Sequence, residues 1–279
     1  MAILLPCGAA RAVEKPLPQA WEYAAAMQKV GAKFRGRPGV VLHVGDSITY
    51  SNPYGAWARH GEGKTEDDRA ALKWMHTGRD DERDGWWLCR FDHPAGGRSH
   101  TACSGIRSDE MLAGGKQQMP SLEKILDEYQ PQVVVLMLGT NDASAGRPTA
   151  DFRKDMQRAI DLMLARGIVP VLSTIPPHVY KLPLSREYNA ALVKLAKDAA
   201  LPMIDFEREI LARRPNDWDG TLLAKGDVHP TAEQGGVGPA HAPTAENLKN
   251  SGYLLRGWLS VQKLAEVKRL VIDKMPIAK

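Results

Sequence analysis

No stretch of the sequence approaches about 18 consecutive apolar residues, which excludes a membrane-spanning helix. No run of five like charges occurs, and the 37 basic and 33 acidic residues are spread along the whole length. That spread excludes a nucleic-acid-binding arm, and the formal net charge of +4 says little about partners. Internal repeats and low-complexity tracts are missing as well. No histidine or cysteine pattern has metal-ligand spacing: the closest histidines, His93 and His100, are seven residues apart in a glycine-rich loop. The acidic triplet Asp80-Asp81-Glu82 reads as a solvated loop face rather than a calcium site. Cysteine is scarce, with only three in the chain. Cys7 lies in the apolar first twelve residues, which leaves Cys89 and Cys103 either to pair or to sit as two packed thiols.

What is present is enough for one core. At 279 residues and 43% apolar side chains, a single α/β domain with terminal extensions accounts for the length. Residues 1–12 are apolar and end in Ala10-Arg11-Ala12, a small-x-small form that a signal peptidase could cut, so they read as an export leader without the usual basic start. Export to the periplasm or the exterior is the expectation, with residues 13–279 as the domain. Short β-branched runs at 40–44, 133–138, 168–173 and 201–204 are near-continuously apolar, as strands buried on both faces are. Between them Met156, Ile160, Met163 and Leu164, and then Leu192, Leu195, Ala196 and Ala199, recur at helical spacing. Leu254, Trp258, Val261 and Ala265 continue the pattern into a terminal helix over about 252–274. This alternation predicts a three-layer α/β/α sandwich around a parallel sheet. Two segments break it, a glycine- and proline-rich stretch at 235–243 and a longer one at 51–103, the latter read as an insertion over the active face.

Three short motifs carry chemistry. Gly45-Asp46-Ser47-Ile48-Thr49 follows the first strand and would present a serine at the carboxyl end of the sheet, where open α/β folds place their sites. Gly139-Thr140-Asn141-Asp142 closes another strand, and an asparagine amide there can donate to a negatively charged oxygen or simply cap the next helix. Gly226-Asp227-Val228-His229-Pro230 comes late, with a proline that favours extended backbone at the histidine. A serine hydroxyl is a weak nucleophile until a base takes its proton, so Ser47 and His229 acquire meaning only together. His43, inside the first strand, reads as a packed core histidine, and Asp46 and Asp142 as anchors of their loops.

In this order the motifs resemble the SGNH, or GDSL-type, hydrolases, and the resemblance spans residues 40–232. It implies a flavodoxin-like architecture, Ser47 as nucleophile, His229 as base, and an oxyanion hole built from Ser47, Gly105 and Asn141, with no cofactor. Gly105 comes from Ser104-Gly105-Ile106-Arg107-Ser108, the least distinctive block. The chain departs from the family in one place. The acid there stands three residues before the histidine, but that position is Gly226, and the near aspartate is Asp227, two before. Asp227 orients the imidazole if the loop is tightened by one residue; Asp219, or a dyad using a backbone carbonyl, are the alternatives. No Gly-x-Ser-x-Gly pentapeptide links the chain to the α/β-hydrolases.

Trp57, Trp74, Trp86 and Trp87 all fall in the 51–103 segment. Flat rings suit sugars, so Trp86 and Trp87 are expected to bind substrate, and a short ester on a carbohydrate or other polar alcohol is expected as that substrate. Packing of the segment onto the domain is the competing use of these rings. A lipase or thioesterase for longer chains, an acyltransferase and an inactive glycan binder are the other functions compatible with the motifs.

Overall fold

The computed structural model describes residues 14–79, 84–94 and 99–274. The expected leader with Cys7 and the Asp80-Asp81-Glu82 triplet lie outside the described residues. Among the described residues, four parallel strands form the sheet in chain order: β1 Val41–Gly45, β2 Val133–Met137, β3 Val169–Ser173 and β4 Met203–Ile204. Val41 pairs with Val133 and Gly45 with Met137, and every residue of the four strands is buried, as the β-branched runs predict for strands covered on both faces.

A single parallel bridge, Gly45 to Ala102, extends the sheet on the far side of β1. Counting that edge as the second segment in the chain, the spatial order becomes 2-1-3-4-5, the doubly wound flavodoxin-like arrangement. The chain therefore leaves β1 toward one side and returns on the other, which opens a crevice at the carboxyl ends of β1 and β2. Ser47 and Asn141 stand at those two ends.

Helices Leu122–Tyr129, Thr149–Ala165 and Leu182–Asp198 pack as one layer, with Met156, Ile160, Met163, Leu192, Leu195 and Ala196 turned inward. Helices Ala24–Gly31, Phe206–Arg213 and Gly252–Val267 form the other. The last of these ends as an α-helix at Val267 and continues as a π-turn to Ile272, close to the expected bounds. It is apolar almost all round, with Leu254, Leu255, Trp258, Leu259, Val261 and Leu264 buried, so it needs cover on both sides.

That need explains where the 51–103 segment goes. Its helices Ala56–His60 and Glu66–Trp74 lie on the outer side of the Gly252–Val267 helix rather than over the crevice. Its short helix Gly85–Leu88 rests on β1. No disulfide joins Cys89 and Cys103; both are buried, their thiols pointing to the carbonyls of Trp86 (3.5 Å) and Ser104 (3.6 Å), and burial pushes the Cys89 thiol up to about 12. Among the described residues, no helix is long and apolar enough to cross a membrane.

A methyl group on Gly85 would come within 1.8 Å of the Val41 carbonyl oxygen, a backbone atom that cannot step aside. Gly85→Ala is therefore expected to destabilise the protein by ~3 kcal/mol or more in denaturant unfolding, the upper range for overpacking. An unchanged unfolding midpoint would place this helix elsewhere than on β1.

Candidate active site

β1 ends at Gly45, and the chain turns directly into a one-turn helix, Ser47–Tyr50. Asp46 caps it, its carboxylate accepting the Ile48 N–H at 3.0 Å. Asp46 is fully buried; burial pushes its carboxyl above the ordinary value, partly offset by the Ile48 N–H and the Arg256 charge. Ser47 is thus carried at the rim of the crevice on a short, capped support.

His229 reaches it from a loop 182 residues later. Its Nε2 lies 2.8 Å from Ser47 Oγ, and its Nδ1 lies 2.9 and 3.0 Å from the two Asp227 carboxylate oxygens. The aspartate two positions before the histidine does face the imidazole, because the loop is drawn tight. The Ala224 N–H donates to the His229 carbonyl, and the Asp227 N–H donates to the Ala224 carbonyl, both at 2.9 Å. Asp219 serves the turn instead: its carboxylate accepts the Gly226 N–H at 2.7 Å, while the imidazole contact goes to Asp227.

With Nδ1–H given to Asp227, the imidazole presents its Nε2 lone pair to the Ser47 hydroxyl. Partial burial pushes the Asp227 carboxyl up, but bonds from His229 and the Val228 N–H outweigh it and hold it below its ordinary value. Its contribution to stability is therefore present above the ordinary carboxylate value and is lost as pH falls through the lowered one. The His229 and Asp227 side chains are 39% and 49% exposed, so this end of the crevice opens directly to solvent.

Two further elements complete the rim. Gly139 sits at φ +126°, where a side chain would be strained and would press on the Phe152 ring, and it turns β2 into the Thr140–Ser144 helix. The Asn141 amide then donates to the Ile106 carbonyl at 3.1 Å and lies 3.4 Å from Asp46. Gly105, at φ +75°, belongs to the same loop as Ile106, and its carbonyl is held by Lys116 Nζ at 2.6 Å. The buried Asp142 fastens these pieces together: it accepts the Ser108 N–H at 3.0 Å and the Ser108 hydroxyl at 2.7 Å, and it pairs with Arg147. The expected anchoring roles of Asp46 and Asp142 are what the structure has.

The expectation for Trp86 and Trp87 is corrected. Trp86 is 3% exposed, its ring 3.8 Å from that of His43 and 4.8 Å from that of Tyr54, so it has no face to offer a substrate. Trp87 packs on Phe91 and on His100, and His100 shares a cavity with Val40 and Val41 at the amino half of β1. The apolar rings were drawn into the packing of the 51–103 segment. His43 is the core histidine expected, bonded through Nδ1 to Tyr54 at 3.0 Å, and burial followed by the Arg256 charge holds it far below its ordinary value and hence neutral.

Sequence reading missed Arg256. Its guanidinium, 3% exposed at residue level, donates to the Ile48 carbonyl at 2.6 Å and the Thr49 hydroxyl at 2.8 Å, and stacks 3.8 Å over the Tyr54 ring. It thereby secures the helix that carries Ser47. The available signal was a charge inside an otherwise apolar helical stripe. His178 was missed too; it is buried beside the crevice, with Nε2 3.0 Å from Ser144 Oγ.

A parallel sheet with a serine, a histidine and an aspartate in bonding series at its switch point defines a serine hydrolase of the doubly wound class. The model of the GDSL-like lipase/acylhydrolase family matches residues 43–234, more than two thirds of the chain. The chain belongs to that family and is a serine ester hydrolase. No curated protein matches it. In fold it is similar to a carbohydrate esterase family 3 protein from Talaromyces cellulolyticus (17% identity, TM-score 0.53, covering 84% of this chain and 98% of that one). It is similar likewise to a GDSL-like lipase from Bacteroides thetaiotaomicron (16%, TM-score 0.51, 88% and 100%). A catalytic mutant of Axe2, an acetylxylan esterase from Geobacillus stearothermophilus, is a third (12%, TM-score 0.50, 83% and 96%).

The His229–Asp227 bond has a direct spectroscopic reading. A downfield proton resonance from His229 Nδ1–H is expected in the wild type and in Asp219→Ala, and is expected to vanish in Asp227→Ala. Persistence of that resonance in Asp227→Ala would assign the orienting acid elsewhere.

Proposed function

We propose that the protein hydrolyses short acyl esters, acetyl above all, of carbohydrates or similar polar alcohols, through an acyl-enzyme on Ser47. The observation that carries this reading is the continuous series from Ser47 Oγ to His229 Nε2 at 2.8 Å and from His229 Nδ1 to Asp227 at 2.9 Å. Ser47 Oγ attacks the ester carbonyl while His229 takes its proton, and Asp227 stabilises the imidazolium so formed. The amides of Ser47 and Gly105 and the Asn141 side chain receive the oxyanion. His229 then protonates the departing alcohol, and a water molecule, deprotonated by the same nitrogen, releases the acid.

The substrate reading rests on the groups around this series. Asn141 and Lys116, which bond the Ile106 and Gly105 carbonyls, are polar, and a long acyl chain needs apolar walls. Tyr180, 74% exposed, brings its hydroxyl to within 3.0 Å of where a Gly226 side chain would begin, so it offers beside the Asp227 loop the accessible ring that Trp86 does not. Two of the proteins similar in fold are described as a carbohydrate esterase and an acetylxylan esterase, in line with this choice. The assembled hydrogen-bond series argues against an inactive glycan binder.

A panel of p-nitrophenyl esters from acetate to octanoate, with acetylated xylo-oligosaccharides beside it, tests the proposal. Ser47→Ala is expected to lose at least about 10⁴-fold in kcat, and Asp227→Asn about 10³-fold or more. Asp219→Ala removes one loop hydrogen bond, worth about 1 kcal/mol, and is expected to cost about tenfold at most. Tyr180→Ala is expected to raise KM for the oligosaccharide and leave p-nitrophenyl acetate unchanged. Turnover retained in Ser47→Ala would refute the acyl-enzyme; faster hydrolysis of octanoate than of acetate would refute the acetyl reading.

A further inference from the structure

We propose that His93, His100 and Glu128 bind a divalent transition-metal ion, zinc above all, at the amino end of the sheet and apart from Ser47. The proposal is independent of the ester-hydrolase reading. The histidine spacing had suggested no such site, because the third donor comes from a different element: Glu128 lies in the last turn of the Leu122–Tyr129 helix. One donor atom from each of the three residues lies within 4.8 Å of the other two.

The distances suit zinc. Tetrahedral bonds of about 2.0–2.2 Å set neighbouring donors about 3.4 Å apart. His93 Nε2 and Glu128 Oε1 are already 3.5 Å apart, at the outer limit for a hydrogen bond but at the edge length of such a tetrahedron. His100 then has to approach by about 1.4 Å at most.

The surroundings resemble the supporting shell of a metal site. His100 is 2% exposed and its Nδ1 lies 2.5 Å from the Tyr129 hydroxyl. A metal-bound histidine is usually held through its other nitrogen, and the Tyr129 hydroxyl would hold His100 in this way. Glu128 and Tyr129 are consecutive, so one helix turn supplies both a ligand and the group that orients another. That turn carries Asp127 and Glu128 and no basic residue, and it forms the negative end of the helix dipole, which favours a cation. The donors line a cavity of about 490 Å³, which has room for water as a fourth ligand. Two imidazoles and one carboxylate suit zinc better than calcium or magnesium, which favour oxygen-only sets.

Such an ion would act as a staple. His93 and His100 belong to the segment that returns to the sheet edge, where the Thr101 hydroxyl donates to the His43 carbonyl at 2.7 Å and the Cys103 N–H donates to the Gly45 carbonyl at 3.1 Å. Gly105 follows two residues on. A bound metal would tie this segment to the Leu122–Tyr129 helix, where no disulfide does so.

The full chain, stripped with a chelator and dialysed against zinc alone, is expected to retain one equivalent by elemental analysis. It should also gain about 5 °C or more in Tm at zinc well above Kd. Cobalt is expected to give the intense visible bands of a four-coordinate site. His93→Ala and Glu128→Gln change solvent-reaching side chains and are expected to fold, to lose the equivalent and to lose the Tm shift. Tyr129→Phe is expected to weaken affinity about 10–100-fold, an effect that a purely structural tyrosine would not produce. His229→Ala is expected to keep the ion. Absence of retained zinc in the wild type, equal retention in His93→Ala and Glu128→Gln, or loss in His229→Ala would each overturn the site.

Discussion

The hydrogen bond between Ser47 and His229 is the contact on which the rest of the molecule converges, since it joins a strand end to a loop 182 residues further along the chain. Closing so long a separation costs conformational entropy, and holding two side chains in one geometry costs more. The contact stands because each partner is secured before they meet. Asp46 and Arg256 hold the helix behind Ser47, one at each end. Asp219, Gly226 and the paired backbone bonds around Ala224 hold the loop behind His229. Catalytic geometry of this kind tolerates errors of well under an ångström, so the supports matter as much as the reacting groups.

The supports are expensive in their own right. Asp46, Asp142 and Arg256 are charged or ionisable side chains that are buried close to the crevice. Burying a charge costs several kcal/mol, and an apolar packing of the same volume is often more stable. What an apolar replacement would lack is direction. Asp142 takes the backbone amide and the hydroxyl of Ser108 and the guanidinium of Arg147, and so sets the spacing between the Gly105 and Asn141 loops. Arg256 spreads its donors over a carbonyl and a hydroxyl while its flat face lies on Tyr54. The same contacts hold the crevice at the switch point of the sheet.

Much of this was legible from the sequence, and the parts that were not share a cause. Runs such as Val133–Met137 announce a strand by composition alone, and Gly139 announces its turn, because both depend on neighbours in the chain. Ser47 and Asn141 were readable because each sits at the end of such an element, and His229 because Asp227 and Pro230 flank it in a short motif. Asp227 was legible as a candidate, but only the closed turn from Ala224 to His229 distinguishes it from Asp219. Trp86 was misread because an aromatic in a polar segment looks the same whether it faces solvent or the core. Here the apolar underside of β1 claimed it. Arg256 and the meeting of Glu128 with His93 and His100 depend on packing between elements far apart in sequence, to which local pattern is blind.

The 51–103 segment illustrates how such packing reaches the site without touching substrate. Tyr54, from this segment, places its hydroxyl between His43 Nδ1 at 3.0 Å and Ser260 Oγ at 2.9 Å, linking β1 to the terminal helix. Its ring is the floor on which Arg256 lies, and Arg256 in turn holds the Ile48 carbonyl, one residue past the serine. A cation over an aromatic face gains up to about 2 kcal/mol once water is removed, and water is removed here because the helices of this segment cover the outside of the terminal helix. The segment therefore supports the Ser47–Tyr50 helix from behind. Its helices Ala56–His60 and Glu66–Trp74 at the same time cover a terminal helix that is apolar almost all round and would otherwise face water.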